Sequence, residues 1–153
     1  MFHVEHKWVM LMDDYFMNMA LEEAKLAFEI GEIPVGCVIV RDNVIIAKTH
    51  NCKESKKNSV MHAELLAVDR ACKVVGDWRL DDCILYTTLE PCMMCMGAII
   101  ESRIPKVFYG TKCKSKQMYD IDIIEARKIS IVNVHDERCS TILSDFFKNK
   151  RKN

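Results

Sequence analysis

Two short fragments constrain the fold of this chain more than anything else in it: His62-Ala63-Glu64 and Pro91-Cys92-Met93-Met94-Cys95. Cys92 and Cys95, three apart, fall on one face of a helix, and near its N-terminus the helix dipole favours the thiolate form. His62 and Glu64, two apart, diverge inside a regular helix but converge when the first of them is still extended, which puts His62 at the mouth of its helix. Between the fragments, Cys83 to Thr88 is a short apolar run that reads as a strand. A helix, a strand and a helix whose two helical N-termini face one point require a layered α/β arrangement.

The rest of the chain agrees with that requirement. From Asp14 to Ile30, Met17, Ala20, Leu21, Ala24, Ala27 and Phe28 recur at helical spacing, ahead of Gly31. Val35 to Val40 and Val44 to Ala47, separated by Arg41-Asp42-Asn43, predict a hairpin. The helix opening near His62 carries Leu65, Leu66, Cys72 and Val75 on one face and ends at Gly76, and the helix after Pro91 runs to about Ser102. Lys106 to Tyr109 and Ile129 to Val134 read as strands, with a helix from Met118 to Ala126 between them. Cys139, Ile142, Leu143, Phe146 and Phe147 mark a C-terminal amphipathic helix. Alternation of this kind predicts a mixed sheet of about five strands with helices on both faces, a three-layer αβα fold.

At 153 residues the chain suits a single domain. We read that domain as residues 13–153 and residues 1–12 as an extension, because Met12 directly precedes Asp13 and Asp14, a good helix entry. Lys and Arg total 22, as do Asp and Glu, so no overall charge points to a nucleic-acid coat or a membrane anchor. The N-terminus has neither a signal-peptide core nor a membrane span. Eight cysteines in a chain with its own apolar core fit reduced thiols in a cytoplasm better than a disulfide scaffold. Of these, Cys37, Cys52, Cys72, Cys83, Cys113 and Cys139 show no ligand spacing and are expected as small buried hydrophobes. Met93, Met94 and Met96 are expected to pack rather than bind copper. Trp78 is expected in the core and Arg79 on the surface.

His62, Cys92 and Cys95 form a three-ligand set for one zinc ion, leaving a tetrahedral position for water, the mark of a catalytic rather than a structural site. Zinc lowers the pKa of bound water from about 15.7 to about 7, and Glu64 is the acid–base group placed to take and return the proton. Either fragment alone would read as a redox motif or a helix cap. Together, H-x-E and P-C-x-x-C across a strand form the signature of zinc deaminases, which remove an exocyclic amine by hydrolysis.

The chain further resembles the bacterial tRNA adenosine deaminase family. The likeness runs from about Tyr15 to Lys150, through Gly31-Glu32-Ile33-Pro34-Val35-Gly36, His62-Ala63-Glu64, Asp77-Trp78-Arg79-Leu80, the stretch from Thr88 to Ala98, and Leu143-Ser144-Asp145-Phe146-Phe147. It implies a cytidine-deaminase-like fold, a homodimer, and conversion of adenosine to inosine at the wobble position of a tRNA anticodon loop. It also implies that Asn51 and the backbone of Ala63 contact the flipped base. An amide can both donate to and accept from a purine edge, as Asn51 would need to do.

Lys112, Lys114, Lys116, Phe147, Lys148, Lys150 and Arg151 are candidates for holding the RNA. The family's glycine- and alanine-rich turn is replaced here by Lys112 to Met118, which has no glycine, and the family's proline and alanine before the histidine are Ser59 and Met61. Two other functions stay open: a deaminase of a free base or nucleoside, sharing every zinc residue, and a non-catalytic zinc module. Glu64 argues against the second, since a closed site needs a fourth ligand and no base.

Overall fold

A computed structural model describes residues 2–114 and 119–152 of the chain, with side chains from residue 10 onward. In chain order its elements are α1 (Phe2–Glu29), β1 (Gly36–Arg41), β2 (Val44–His50), α2 (Ala63–Val75), β3 (Cys83–Leu89), α3 (Met93–Glu101), β4 (Lys106–Thr111), α4 (Ile121–Ala126), β5 (Ser130–Asn133) and α5 (Glu137–Arg151). The strands form one mixed sheet in the order β2-β1-β3-β4-β5. β1 is antiparallel to β2 and β3, while β3, β4 and β5 run parallel. Asp42 and Asn43, both at positive φ (50° and 61°), make the two-residue turn that matches the twist of the β1–β2 hairpin.

Side chains alternate across the sheet, and each face builds its own core. Cys37 and Ile39 of β1 and Leu85 of β3 point toward Ala63, Ala67, Ala71, Met96, Ile99 and Ile124 of α2, α3 and α4. Val38 and Val40 of β1, with Tyr86 and Phe108, point the other way, toward Phe16, Met17, Ala20, Leu21 and Ala24 of α1 and Cys139 of α5. The result is the expected three-layer αβα fold with five strands. Contact between α1 and the sheet is so close that a Cβ on Gly36 would overlap the Ala20 carbonyl oxygen. No helix among the described residues is long and apolar enough to cross a membrane.

The structure corrects the sequence reading in six places. α1 runs without a break from Phe2, so Asp13 and Asp14 lie inside a helix rather than at its entry; the Asp13 carboxylate instead accepts a hydrogen bond from the buried Tyr86 hydroxyl. α2 turns alanines, not leucines, to the sheet: Ala63, Ala67 and Ala71 are buried while Leu65 and Leu66 are half-buried, because small side chains let the helix lie close. α4 begins only at Ile121, capped by the Asp120 side chain on the Asp122 N–H, and Met118 lies outside the described residues. Trp78 is 51% exposed, its ring covered by the guanidinium groups of Arg79 at 4.6 Å and Arg103 at 5.1 Å, an amphipathic placement that a core reading overlooks. Among the cysteines expected to be buried, Cys37, Cys83 and Cys139 are, whereas Cys52, Cys72 and Cys113 are only partly so. Of the three methionines, Met96 packs fully while Met93 stays exposed.

Candidate active site

The rim of the sheet where β2, β3 and β4 end and β1 begins carries the candidate site. α2 starts at this rim with His62 as its N-cap, extended at φ −77° and ψ 148°, and α3 starts there with Cys92 as its N-cap, at φ −74° and ψ 175°. Pro91 therefore stands just outside α3, not in its first turn. Both helices aim their free N–H groups and positive dipole ends at one point.

At that point lie His62, Cys92 and Cys95, whose ligand atoms all fall within 4.8 Å of one another. His62 Nδ1 is 3.7 Å from Cys92 Sγ and 3.5 Å from Cys95 Sγ. A tetrahedral zinc with ordinary bond lengths would separate nitrogen and sulfur by about 3.6 Å, and both His62–cysteine spacings match that value. Electrostatics point the same way. Cys92 is held down at about 3 by hydrogen bonds with Cys95 and His62. Cys95 is driven up by its hydrogen bond with Cys92, by burial and by the nearby Glu64. The two sulfurs thus share a single negative charge, and a divalent ion would take the place of the remaining proton. The His62 imidazole is raised by its hydrogen bond with Cys92.

Glu64 stands beside this cluster, only 4% exposed. Its Oε1 accepts from the Thr87 hydroxyl at 3.1 Å and its Oε2 lies 3.4 Å from Cys95 Sγ. Burial pushes its carboxyl above the ordinary carboxylate range, although a backbone N–H, the Cys95 thiol and the imidazole pull against that. Thr87 escaped the sequence reading; it is fully buried on β3, and only the fold brings it to Glu64. Thr49 likewise pins the start of α2, its hydroxyl donating to the Ala63 carbonyl at 2.6 Å.

Asn51 follows β2 directly and is 7% exposed. Its backbone N–H donates to the Val35 carbonyl at 3.1 Å. Its side chain donates to the Ile33 carbonyl at 3.4 Å and accepts from the Lys53 N–H at 3.3 Å. Each end of the amide keeps one further hydrogen-bonding position. The loop from Asn51 closes on the candidate ligand cluster through a hydrogen bond from the Cys52 N–H to the Met61 carbonyl, 3.0 Å, one residue before His62.

A groove of about 540 Å³ is lined by Ile33, Leu89, Leu143 and Phe147 and by Lys112, Lys114, Lys148 and Arg151; Ile33, whose carbonyl accepts from the Asn51 side chain, links it to the site. No carboxylate lines it among the described residues. Phe147 is 43% exposed. Lys150 sits apart from this lining, over the Phe146 ring at 5.2 Å, and Lys116 lies outside the described residues. Glu90, buried, anchors the loop that forms one wall: its carboxylate accepts from the Cys113 N–H at 3.2 Å and from the Tyr119 hydroxyl at 2.7 Å. A larger cavity, about 760 Å³ between α1 and the turn into α5, holds none of these residues.

Comparison with known proteins places this geometry in context. The model of the MafB19-like deaminase family matches residues 12–151. The tRNA-specific adenosine deaminase of Bacillus subtilis (strain 168) is 40% identical over 153 aligned residues, covering 94% of this chain and 93% of its own. A structure solved in work on A-to-I editing by tRNA:A34 deaminases at the wobble position of transfer RNA superposes with a TM-score of 0.76 at 31% identity, covering 85% of this chain and 99% of that one. Guanine deaminase from Bacillus subtilis superposes with a TM-score of 0.62 at 39% identity, over 76% of this chain and 70% of its own. The relative that aligns along nearly its whole length and the structure that superposes more fully both carry the same description, and on that ground the chain belongs to the tRNA-specific adenosine deaminase family.

Proposed function

We propose that this protein is a zinc-dependent hydrolase that converts adenosine to inosine at the wobble position of a tRNA anticodon loop. The observation that carries the reading is a nearly solvent-free carboxylate, Glu64, beside the three-ligand cluster of His62, Cys92 and Cys95; a groove lined with three lysines and an arginine adds a place for RNA. Zinc held by His62, Cys92 and Cys95 would supply, at its fourth position, a water acidic enough to ionise near neutral pH.

The chain's own groups do the rest. Glu64 takes the proton of the attacking water and delivers it to the purine ring nitrogen as the new C–O bond forms at C6. It then carries the proton of the new C6 hydroxyl to the exocyclic amine, the C–N bond breaks, and ammonia leaves as the C6 carbonyl of inosine forms. Thr87 keeps one carboxylate oxygen of Glu64 fixed, leaving the other to face the reacting atoms. Asn51 presents its spare donor and acceptor to the base, and the backbone of Ala63, in the first turn of α2, faces the same pocket.

Recognition of RNA rests on the groove. Phe147 offers an exposed ring for stacking, and Lys112, Lys114, Lys148 and Arg151 offer charge to phosphates, with Lys150 on the same helix. An anticodon loop supplies an already splayed base, so little stacking is lost when it enters the pocket. A homodimer belongs to the same reading, and α2 and α3 leave apolar Val74 and Met93 exposed for such a contact. Residues 13–153 form the deaminase domain in this view, with 1–12 ahead of it. No disulfide joins any of the eight cysteines, which suits a reducing cytoplasm.

The deciding experiment follows inosine formation in an anticodon stem-loop RNA alongside a panel of free bases and nucleosides. We expect turnover of the RNA adenosine. Turnover of guanine or another free base alone would place the chain with the guanine deaminase that it also resembles. Raising salt from 50 to 200 mM should weaken stem-loop binding steeply, by about tenfold or more for each two phosphates contacted.

A further inference from the structure

Glu32 is 1% exposed, yet its carboxylate reaches under the lysine-rich loop that follows β2. Its Oε2 accepts from the Glu54 N–H at 3.1 Å and its Oε1 from the Ser55 N–H at 2.5 Å. Glu54 and Ser55 are themselves exposed, so a buried charge is spent on holding a surface loop. The neighbouring residues grip the same loop: Ile33 and Val35 take the side chain and the backbone of Asn51. Through the Cys52–Met61 hydrogen bond, the loop also fixes Asn51 relative to His62. The segment 32–35 is therefore a template on which the base-facing loop is laid, and Glu32 is its charged member. Burial works against ionisation of Glu32, but the two N–H donors, aided by the charge of Lys150, outweigh it and keep the carboxyl below its ordinary range. A charged acceptor makes stronger bonds to backbone N–H groups than a neutral one.

We propose that Glu32 is a positioning residue for deamination, holding Asn51 in register with the target base by accepting the N–H groups of Glu54 and Ser55. The proposal rests on the role given to Asn51 under Proposed function. Glu32 touches neither substrate nor metal ligands, so its effect must pass through the loop.

The test is a double-mutant cycle on the zinc-loaded full chain with Glu32→Gln, Asn51→Ala and both together, read by kcat and KM on the stem-loop RNA. Amide hydrogen exchange of residues 52–56 without substrate is measured in parallel. The isosteric Glu32→Gln leaves one N–H facing an amide donor instead of an acceptor. It is expected to lower kcat by about tenfold to a hundredfold, with KM close to wild type, and to speed exchange at Glu54 and Ser55. Added to Asn51→Ala, it should cost nothing more. Losses that multiply in the double variant, or unchanged exchange at Glu54 and Ser55, would overturn the proposal. Should Glu32→Gln fail to fold or to hold zinc, Glu32→Asp keeps the charge but shortens the reach, and the same cycle applies. If the wild-type chain makes no inosine in RNA, the proposed substrate fails; the cycle is then read on the free base it does turn over, and exchange still reports whether Glu32 holds the loop.

Discussion

Glu64 shows how much of the chemistry is decided by one side chain's surroundings. Its carboxyl is withdrawn from water, pinned by Thr87 and raised in pKa, which suits a group that must both accept and return a proton near neutrality. Replacing it with Gln should leave the bound ion in place, because Glu64 is not a ligand, while turnover falls by about a hundredfold to ten-thousandfold. Metal analysis beside single-turnover assays checks both halves, and full activity in the Gln variant would remove Glu64 from the mechanism. His62, Glu64, Cys92 and Cys95 were legible because their spacing at two helix starts is itself a geometric statement. Thr87, Glu32 and Glu90 were not, although Glu32 and Glu90 stand inside recognisable motifs. The partners that give them these roles lie 22 or more residues away, and a lone acid in a sequence carries no mark of the backbone N–H groups it will meet.

Helices and strands were easier to read than the faces they present. Periodicity located the hairpin, the parallel strands and both site helices, and Gly76, at φ 77°, closes α2 where a left-handed residue was expected. It misjudged the inner face of α2, because the leucines dominate the apolar pattern while alanines do the close packing. It also could not see that α1 passes through Asp13 and Asp14, since the hydrogen bond that occupies Asp13 comes from Tyr86 on β3. Closeness between α1 and β1 is a property of the pair of elements, and Gly36 is where it is set. Gly36→Ala should cost about 1–3 kcal/mol or more, because the added methyl meets backbone atoms of α1 that cannot give way as a side chain would. Urea denaturation reads this directly, and a midpoint equal to wild type would show that α1 stands further off than described.

The whole molecule couples its site to its stability, since the three ligand atoms come from the starts of two different helices. An ion at a thousandfold excess over its Kd stabilises the folded state by about 4 kcal/mol, worth roughly 10 °C in Tm for a chain of this size. Chelation should therefore lower the melting temperature by about that much, reversibly on adding zinc; equal melting curves with and without chelator would argue that the cluster holds no ion. Sedimentation at micromolar concentration, expected to give twice the chain mass of 17.7 kDa, tests the proposed dimer.

The reversal of strand direction between β1 and β3 gathers the beginning of one strand and the ends of the four others along a single border of the sheet. Much of the loop after β2 and of the described stretch after β4 lies at the surface rather than in the two cores. Evolution can therefore vary the lengths and compositions of these connections, the glycine-free stretch after β4 among them, without disturbing the scaffold of the candidate site.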